Sequence, residues 1–325
     1  MNRTFIERCC RVVTGLTVAA LISAPAFAQG VVTLVVPYAP GGITDILGRL
    51  ISKRLGEELQ ATVVVENKPG AGTAIGASYV AKAAPDGRTI LLTTVSTTMI
   101  MNPLIMERLP YATEDLVPVA PIASAPFVLL APPSFQASSL RELQAMSKRG
   151  ANLNCATVGP GTTGHLTNAL FRQVTGISCT DIHYKGSGPA TSDVIAGTVE
   201  LYFDGLSSAV PRVKSGQLKA LAVTGKSRSS ALPNVPTAVE AGFPKLVSES
   251  TFGIVAPAKT PAAALQKIHA AVSKVVAESD IRSKLSDLGA EVEVAASLAD
   301  YRQRIATDAI AWKSVVDAVG VQSLR

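Results

Sequence analysis

The chain has 325 residues, with 30 Lys and Arg against 24 Asp and Glu, a formal net charge of +6, and only 5% aromatic residues. Without a basic block, so few aromatics argue against nucleic-acid binding. Three histidines and four cysteines, none in a His-x-x-x-His or Cys-x-x-Cys arrangement, argue against a structural or catalytic zinc site.

The N-terminus reads as an export leader. Arg3, Arg8 and Arg11 precede an apolar run at 12–24 that leads into Ala26-Phe27-Ala28. Cleavage after Ala28 is expected, with 1–28 as the signal peptide and a mature protein in the periplasm. No later stretch reaches the roughly 18 to 20 uninterrupted apolar residues of a membrane-spanning helix, so no stable membrane insertion is expected. Cys9 and Cys10 precede the apolar run, whereas a lipoprotein needs a cysteine just after it. Losing Arg3, Arg8, Arg11 and Glu7 leaves a net charge near +4, an excess that serves solubility and can also steer an anion.

In the mature chain, residues 31–36 form a valine-rich apolar run, the pattern of a parallel strand buried on both faces. It breaks at Pro37-Tyr38-Ala39-Pro40-Gly41-Gly42. Ile43, Ile46, Leu47, Leu50, Ile51 and Leu55 then recur at three- and four-residue steps, which predicts an amphipathic helix. The unit repeats as a strand at 62–66, a loop at 67–72, a helix at 73–84 and a strand at 88–94. Such alternation implies a parallel sheet with right-handed crossovers. The proline-studded segment 118–133 is predicted to be an extended passage to a second lobe.

A second α/β series follows. It has strands at 153–158, 181–184, 199–203 and 218–224, with helices at 165–175, 189–196 and 207–215. An extended return at 248–257 and helices at 261–278, 280–288 and 298–319 complete the chain, these helices packing back on the first lobe. The predicted organisation is two α/β lobes, 29–125 plus 252–325 and 126–251, joined by two extended crossings.

The glycine turns at 37–42 and 159–164 carry the chemistry. Each places unpaired backbone N–H groups at a helix N-terminus, where the helix dipole favours an anion. Neither ends in the Gly-Lys-Ser/Thr of a P-loop or matches Gly-x-Gly-x-x-Gly, so no nucleotide cofactor is expected. No Gly-x-Ser-x-Gly elbow presents a nucleophile, and no residue is assigned a catalytic role. His165 is placed to pack at a helix start. Asp45 falls in the first helical turn, where it can tie down the glycine loop or touch a ligand. Asp204, just after a strand, can accept from a ligand amine or hydroxyl, or cap the next helix. Cys155 and Cys179 each begin a strand-like segment; they can face one another as a disulfide or remain two buried thiols.

Several motifs extend over nearly the whole mature chain: Val36-Pro37-Tyr38-Ala39-Pro40-Gly41-Gly42-Ile43-Thr44-Asp45, Glu66-Asn67-Lys68-Pro69-Gly70-Ala71-Gly72, Gly159-Pro160-Gly161-Thr162-Thr163-Gly164-His165, Tyr184-Lys185-Gly186 and Leu201-Tyr202-Phe203-Asp204. With them the chain resembles the Bug (TctC-like) receptors, the periplasmic solute-binding components of tripartite tricarboxylate transporters. The resemblance implies a type II periplasmic-binding-protein fold that pinches a ligand carboxylate between loops of both lobes. It assigns one pincer to Tyr38, Ala39, Pro40, Gly41, Gly42 and Asp45. The other takes Gly161, Thr162, Thr163 and His165, with Tyr184, Gly186 and Asp204 nearby and Ser96 in the loop after the third strand. It implies a monomeric receptor, a small organic acid or amino-acid-like ligand, and membrane transporter subunits as partners. A receptor signalling to a membrane sensor would use the same cleft; an exported hydrolase would need a nucleophile beside a base, which the spacing does not reveal. Two departures stand out. Ser250-Thr251-Phe252-Gly253 lacks the tryptophan many members carry before this glycine, and 93–101 is apolar and methionine-containing, so a citrate-like polyacid is not inferred.

Overall fold

In the computed structural model, residues 30–41, 43–158, 162–184 and 187–320 are described, and the expected leader lies outside them. The valine run forms β1 (Gly30–Val36), followed by α1 (Ile43–Leu59), β2 (Ala61–Asn67), α2 (Ala74–Ala81) and β3 (Thr89–Thr94). β1 lies between β2 and β3 and pairs in parallel with β3, Thr33 opposite Thr89. On α1 the expected stripe is buried through Leu47, Ile51 and Leu55, one above another along the helix. Gly48 beside them lets the helix settle on Val36 and Leu92 of the sheet.

The proline-studded passage is more than a connector. It forms β4 (Leu116–Ala131), a strand buried at every position but Val117. One stretch of β4 pairs antiparallel with β9 (Glu249–Pro257), the expected return segment. Beyond it, β4 pairs with β7 (Leu201–Gly205) on one side and β8 (Lys219–Val223) on the other. Proline cannot donate to a ladder, so a central strand ordinarily excludes it. Here the β4–β9 register shifts between Pro118 and Ala120 and again between Pro121 and Ala123, and these irregularities absorb the missing donors.

With β5 (Asn154–Thr157) and β6 (Thr180–His183) added, the halves have one plan. One runs β2-β1-β3-β9-β4 and the other β6-β5-β7-β4-β8, so each inserts antiparallel, between its third and fourth strands, a strand shared with the crossing. This is the expected two-lobed architecture with two extended crossings. The elements that the sequence did not predict include the short β10 (Glu291–Val292) against β4, the short helix Asn102–Ile105 and a helix within 134–152.

The helices are α3 (Asn102–Ile105), α4 (Leu140–Lys148), α5 (Thr163–Thr175), α6 (Ser187–Ala196), α7 (Leu206–Lys214), α8 (Ala262–Ala277), α9 (Ser279–Asp287) and α10 (Leu298–Val319). None of the described helices is long and apolar enough to cross a membrane. The closing helix corrects one expectation. α10 does not pack on the first lobe alone, because its stripe of Tyr301, Ile305, Val315 and Val316 joins a core that also takes Val95 and Met101 from one lobe and Leu166 and Phe171 of α5 from the other.

Candidate functional site

Strand registers fix where the glycine turns emerge. Thr94, at the carboxyl end of β3, lies opposite Phe252 of β9, and Phe252 lies opposite Ala123 of β4. Gly205, at the carboxyl end of β7, lies opposite Phe127, four residues further along β4. The carboxyl ends of β3 and β7 therefore approach the same stretch of crossing strand from opposite directions. β1 and β5 run parallel to them, so their carboxyl ends point the same way as those of β3 and β7. In open α/β sheets this is where ligands bind.

The first corner is built around Asp45. Gly41, at φ 88°, adopts the left-handed backbone that turns β1 into α1, a conformation open to glycine at little cost. Its N–H donates to Asp45 Oδ2 at 2.9 Å, and Asn67 Nδ2 donates to Asp45 Oδ1 at 2.9 Å and to the Tyr38 carbonyl at 3.0 Å. Arg49 Nη2 lies 3.0 Å from the same carboxylate. These bonds to the Asp45 carboxylate brace the loop, while Ala39, Pro40 and Gly41 stay exposed. Gly42 lies outside the described residues.

The Arg49 hydrogen bond, helped by the Gly41 amide and Asn67, overcomes burial and holds the Asp45 carboxyl at about 2, below its ordinary 3.8. A depressed acid stabilises the fold above its unfolded value and loses that contribution as pH falls through the folded one. Asp45→Asn is therefore expected to flatten the fall in stability between about pH 4 and pH 2, measurable by denaturant unfolding across that window.

The second corner is the start of α5. Thr162 is its N-cap, with Oγ1 accepting from the His165 N–H at 3.3 Å and its carbonyl accepting from Leu166 at 3.0 Å. Gly161 and Gly186 lie outside the described residues.

Hydroxyls join the corners. Tyr38 Oη donates to Thr94 Oγ1 at 2.9 Å, and burial pushes this phenol up in pKa. Thr97 Oγ1 in turn lies 3.3 Å from Thr163 Oγ1, in the first turn of α5. The residues after β3 are not the plain loop expected: 96–101 wind as a π-helix, a form found often at functional sites. Ser96, its first residue, is buried with an Oγ that has no protein partner.

The remaining candidates divide. Asp204 sits within β7 and not after it; its Oδ1 accepts from the adjacent Gly205 N–H at 2.9 Å and does not cap α7, whose N-cap Gly205 receives no side-chain bond, while the buried Oδ2 has no partner. Burial, against the pull of Ser208, Tyr202 and the Gly205 amide, pushes this carboxyl up. Tyr184 turns its hydroxyl to Asp193 Oδ2 at 2.6 Å. The His165 ring is buried, 3.4 Å from Asp181 Oδ2 and edge-on to His183. Burial would raise the Asp181 carboxyl, but His165, Arg172 and Asn168 together hold it below its ordinary value. Cys155 and Cys179 form a disulfide with a Cα–Cα separation of 5.8 Å. Thr94, Thr97, Asn67 and Asp181 were not singled out from sequence; only Asn67 carried a signal, as part of a quoted motif. Among the described residues, no three of His, Cys, Asp and Glu gather as metal ligands.

The sequence profile described as the tripartite tricarboxylate transporter family receptor matches residues 47–321. The chain belongs to this receptor family. BugT of Bordetella pertussis is 33% identical to the receptor over 307 residues, 94% of each chain. An R. palustris protein solved with adipate is 33% identical, with a TM-score of 0.77, and the match covers 90% of the receptor and 97% of that protein. MatC from Rhodopseudomonas palustris with bound malate is 32% identical, with a TM-score of 0.73, and the match covers 89% and 100% of the two chains.

Proposed function

We propose that the receptor captures a small carboxylate-bearing ligand in the gap between its lobes and hands it to the membrane subunits of a tripartite tricarboxylate-type transporter, performing no chemistry itself. The observation that carries this reading is the meeting of the two corners at the residues after β3, where Tyr38 bonds to Thr94 and Thr97, three residues on, lies 3.3 Å from Thr163 in the first turn of α5. Amides and hydroxyls at a helix start hold an anion without a paired cation. Adipate and malate, held by two relatives, are both dicarboxylates. In this reading residues 29–125 with 252–325 make one lobe and 126–251 the other, and the mature monomer works in the periplasm after loss of its leader. A ligand touching both corners favours the closed arrangement by its differential affinity for it.

The test is a thermal-shift screen of the mature protein against mono- and dicarboxylates, with the matching amides as controls. A true ligand at a hundred times its Kd adds about 2.7 kcal/mol of stability. Stabilisation by one or more acids and by none of the amides is expected. Equal response to acid and amide, or to neither, would overturn the proposal.

A further inference from the structure

The helix that carries the second corner is held from behind by one carboxylate. Asp181, on β6, receives three side chains from a single face of α5. Asn168 Nδ2 donates to its Oδ1 at 2.9 Å, Arg172 Nη1 lies 2.8 Å from Oδ2, and His165 Nε2 lies 3.4 Å from Oδ2. Positions 165, 168 and 172 are three and four apart and so share a face. Because they reach Asp181 from successive turns, together they oppose both rotation of the helix and its sliding along its axis. Asn168 Nδ2 also donates to the Ala156 carbonyl of β5 at 3.3 Å.

The strand that bears Asp181 is weakly held by the sheet alone. β6 has four residues, none of them buried, and stands at the end of the sheet with β5 as its partner. Cys155 of β5 is the register partner of Asp181, and the disulfide ties Cys155 to Cys179, two residues before Asp181. The covalent tie and the three-way anchor therefore meet within one turn of pairing.

We infer that Asp181 is a positioning residue for ligand capture, and that the Cys155–Cys179 bond keeps it in register beneath α5. The inference rests on the reading of Thr162 and Thr163 as an anion corner. A staple that only stabilised the lobe would, when weakened, loosen the lobe evenly. A positioning group loosens the start of α5 first.

Hydrogen exchange on the full mature protein separates the two, followed at the amides of His165 and Leu166, which donate to Thr162, and at those of β7. In Asp181→Asn, exchange at His165 and Leu166 is expected to quicken about tenfold while β7 keeps its rates. The Cys155→Ser/Cys179→Ser double variant should quicken exchange through the whole lobe, and more at His165 and Leu166 than at β7, while Asp181→Glu should restore part of the protection lost in Asp181→Asn. Calorimetry with malate and adipate as probes should show weaker binding in Asp181→Asn. Unchanged exchange at 165 and 166, or equal quickening in α5 and β7, would overturn the positioning role. If wild-type protein binds no carboxylate probe, the capture reading falls, and the exchange result still decides whether Asp181 positions α5.

Discussion

Replacing Gly253 with alanine is expected to force Tyr301 of the C-terminal helix away from the crossing strands and to cost about 3 kcal/mol of stability, the upper end of what overpacking usually exacts. Gly253 lies on β9 between Thr93 of β3 and Pro121 of β4. A Cβ there would overlap the Tyr301 hydroxyl, approach the Ala120 carbonyl to 2.8 Å and meet Val95 Cγ2 at 3.2 Å. The Ala120 wall is backbone inside a central strand and cannot swing aside. Tyr301 is fully buried and its hydroxyl has no partner, so relief comes from moving the ring toward the cavity it lines or from carrying α10 outward. Trp312, the chain's one tryptophan, lies on that helix and would report the shift in its fluorescence. Urea unfolding should show the lost stability, and adding Tyr301→Phe should recover part of it by removing the obstructing hydroxyl. An unchanged midpoint in Gly253→Ala would contradict this packing.

Opening the Cys155–Cys179 bond is expected to have an effect of similar size. Its cysteines are 24 positions apart and enclose the end of β5 and the whole of α5. A loop of that length held closed in the unfolded chain is worth about 3 kcal/mol. Denaturant unfolding with and without a reductant, and of the double serine variant, measures it. A difference below about 1 kcal/mol would show that the cross-link does little for the fold.

The fold was legible wherever one periodicity dominated. The valine run of β1 and the three- and four-residue stripe of α1 each admit a single reading, and the repeated strand-turn-helix unit gave the two-lobed plan. The prolines of β4 pointed to a free passage because their cost in a ladder is local, whereas the register shifts that absorb it depend on a partner more than a hundred residues away. α4 was missed although its start is written in the sequence as Ser139-x-x-Glu142: Ser139 Oγ caps the helix by accepting from the Glu142 N–H at 3.2 Å, and Glu142 Oε2 reaches one residue past the N-cap to accept from the Ser138 N–H at 2.7 Å.

The site divides along the same line. Gly41, Asp45 and Thr162 act on neighbours within four residues, so local spacing reveals them. Tyr38 meets Thr94 across 56 positions, and Thr97 meets Thr163 across 66. Such contacts follow from the order of strands in the sheet, which no local pattern encodes. Asp181 is hidden for the same reason, since its three partners lie on a helix that precedes it in the chain.

Titration calorimetry of malate and adipate into the mature protein and into Thr162→Val tests the capture of a carboxylate between the two corners most directly. Valine keeps the shape of the side chain but removes the hydroxyl that caps α5. The expected result is binding of at least one of the two acids by the wild type, about tenfold weaker in the variant, equivalent to about 1.4 kcal/mol, with the circular dichroism of the two proteins superimposable. Equal affinity in both proteins, or no binding of either acid by the wild type, would contradict it.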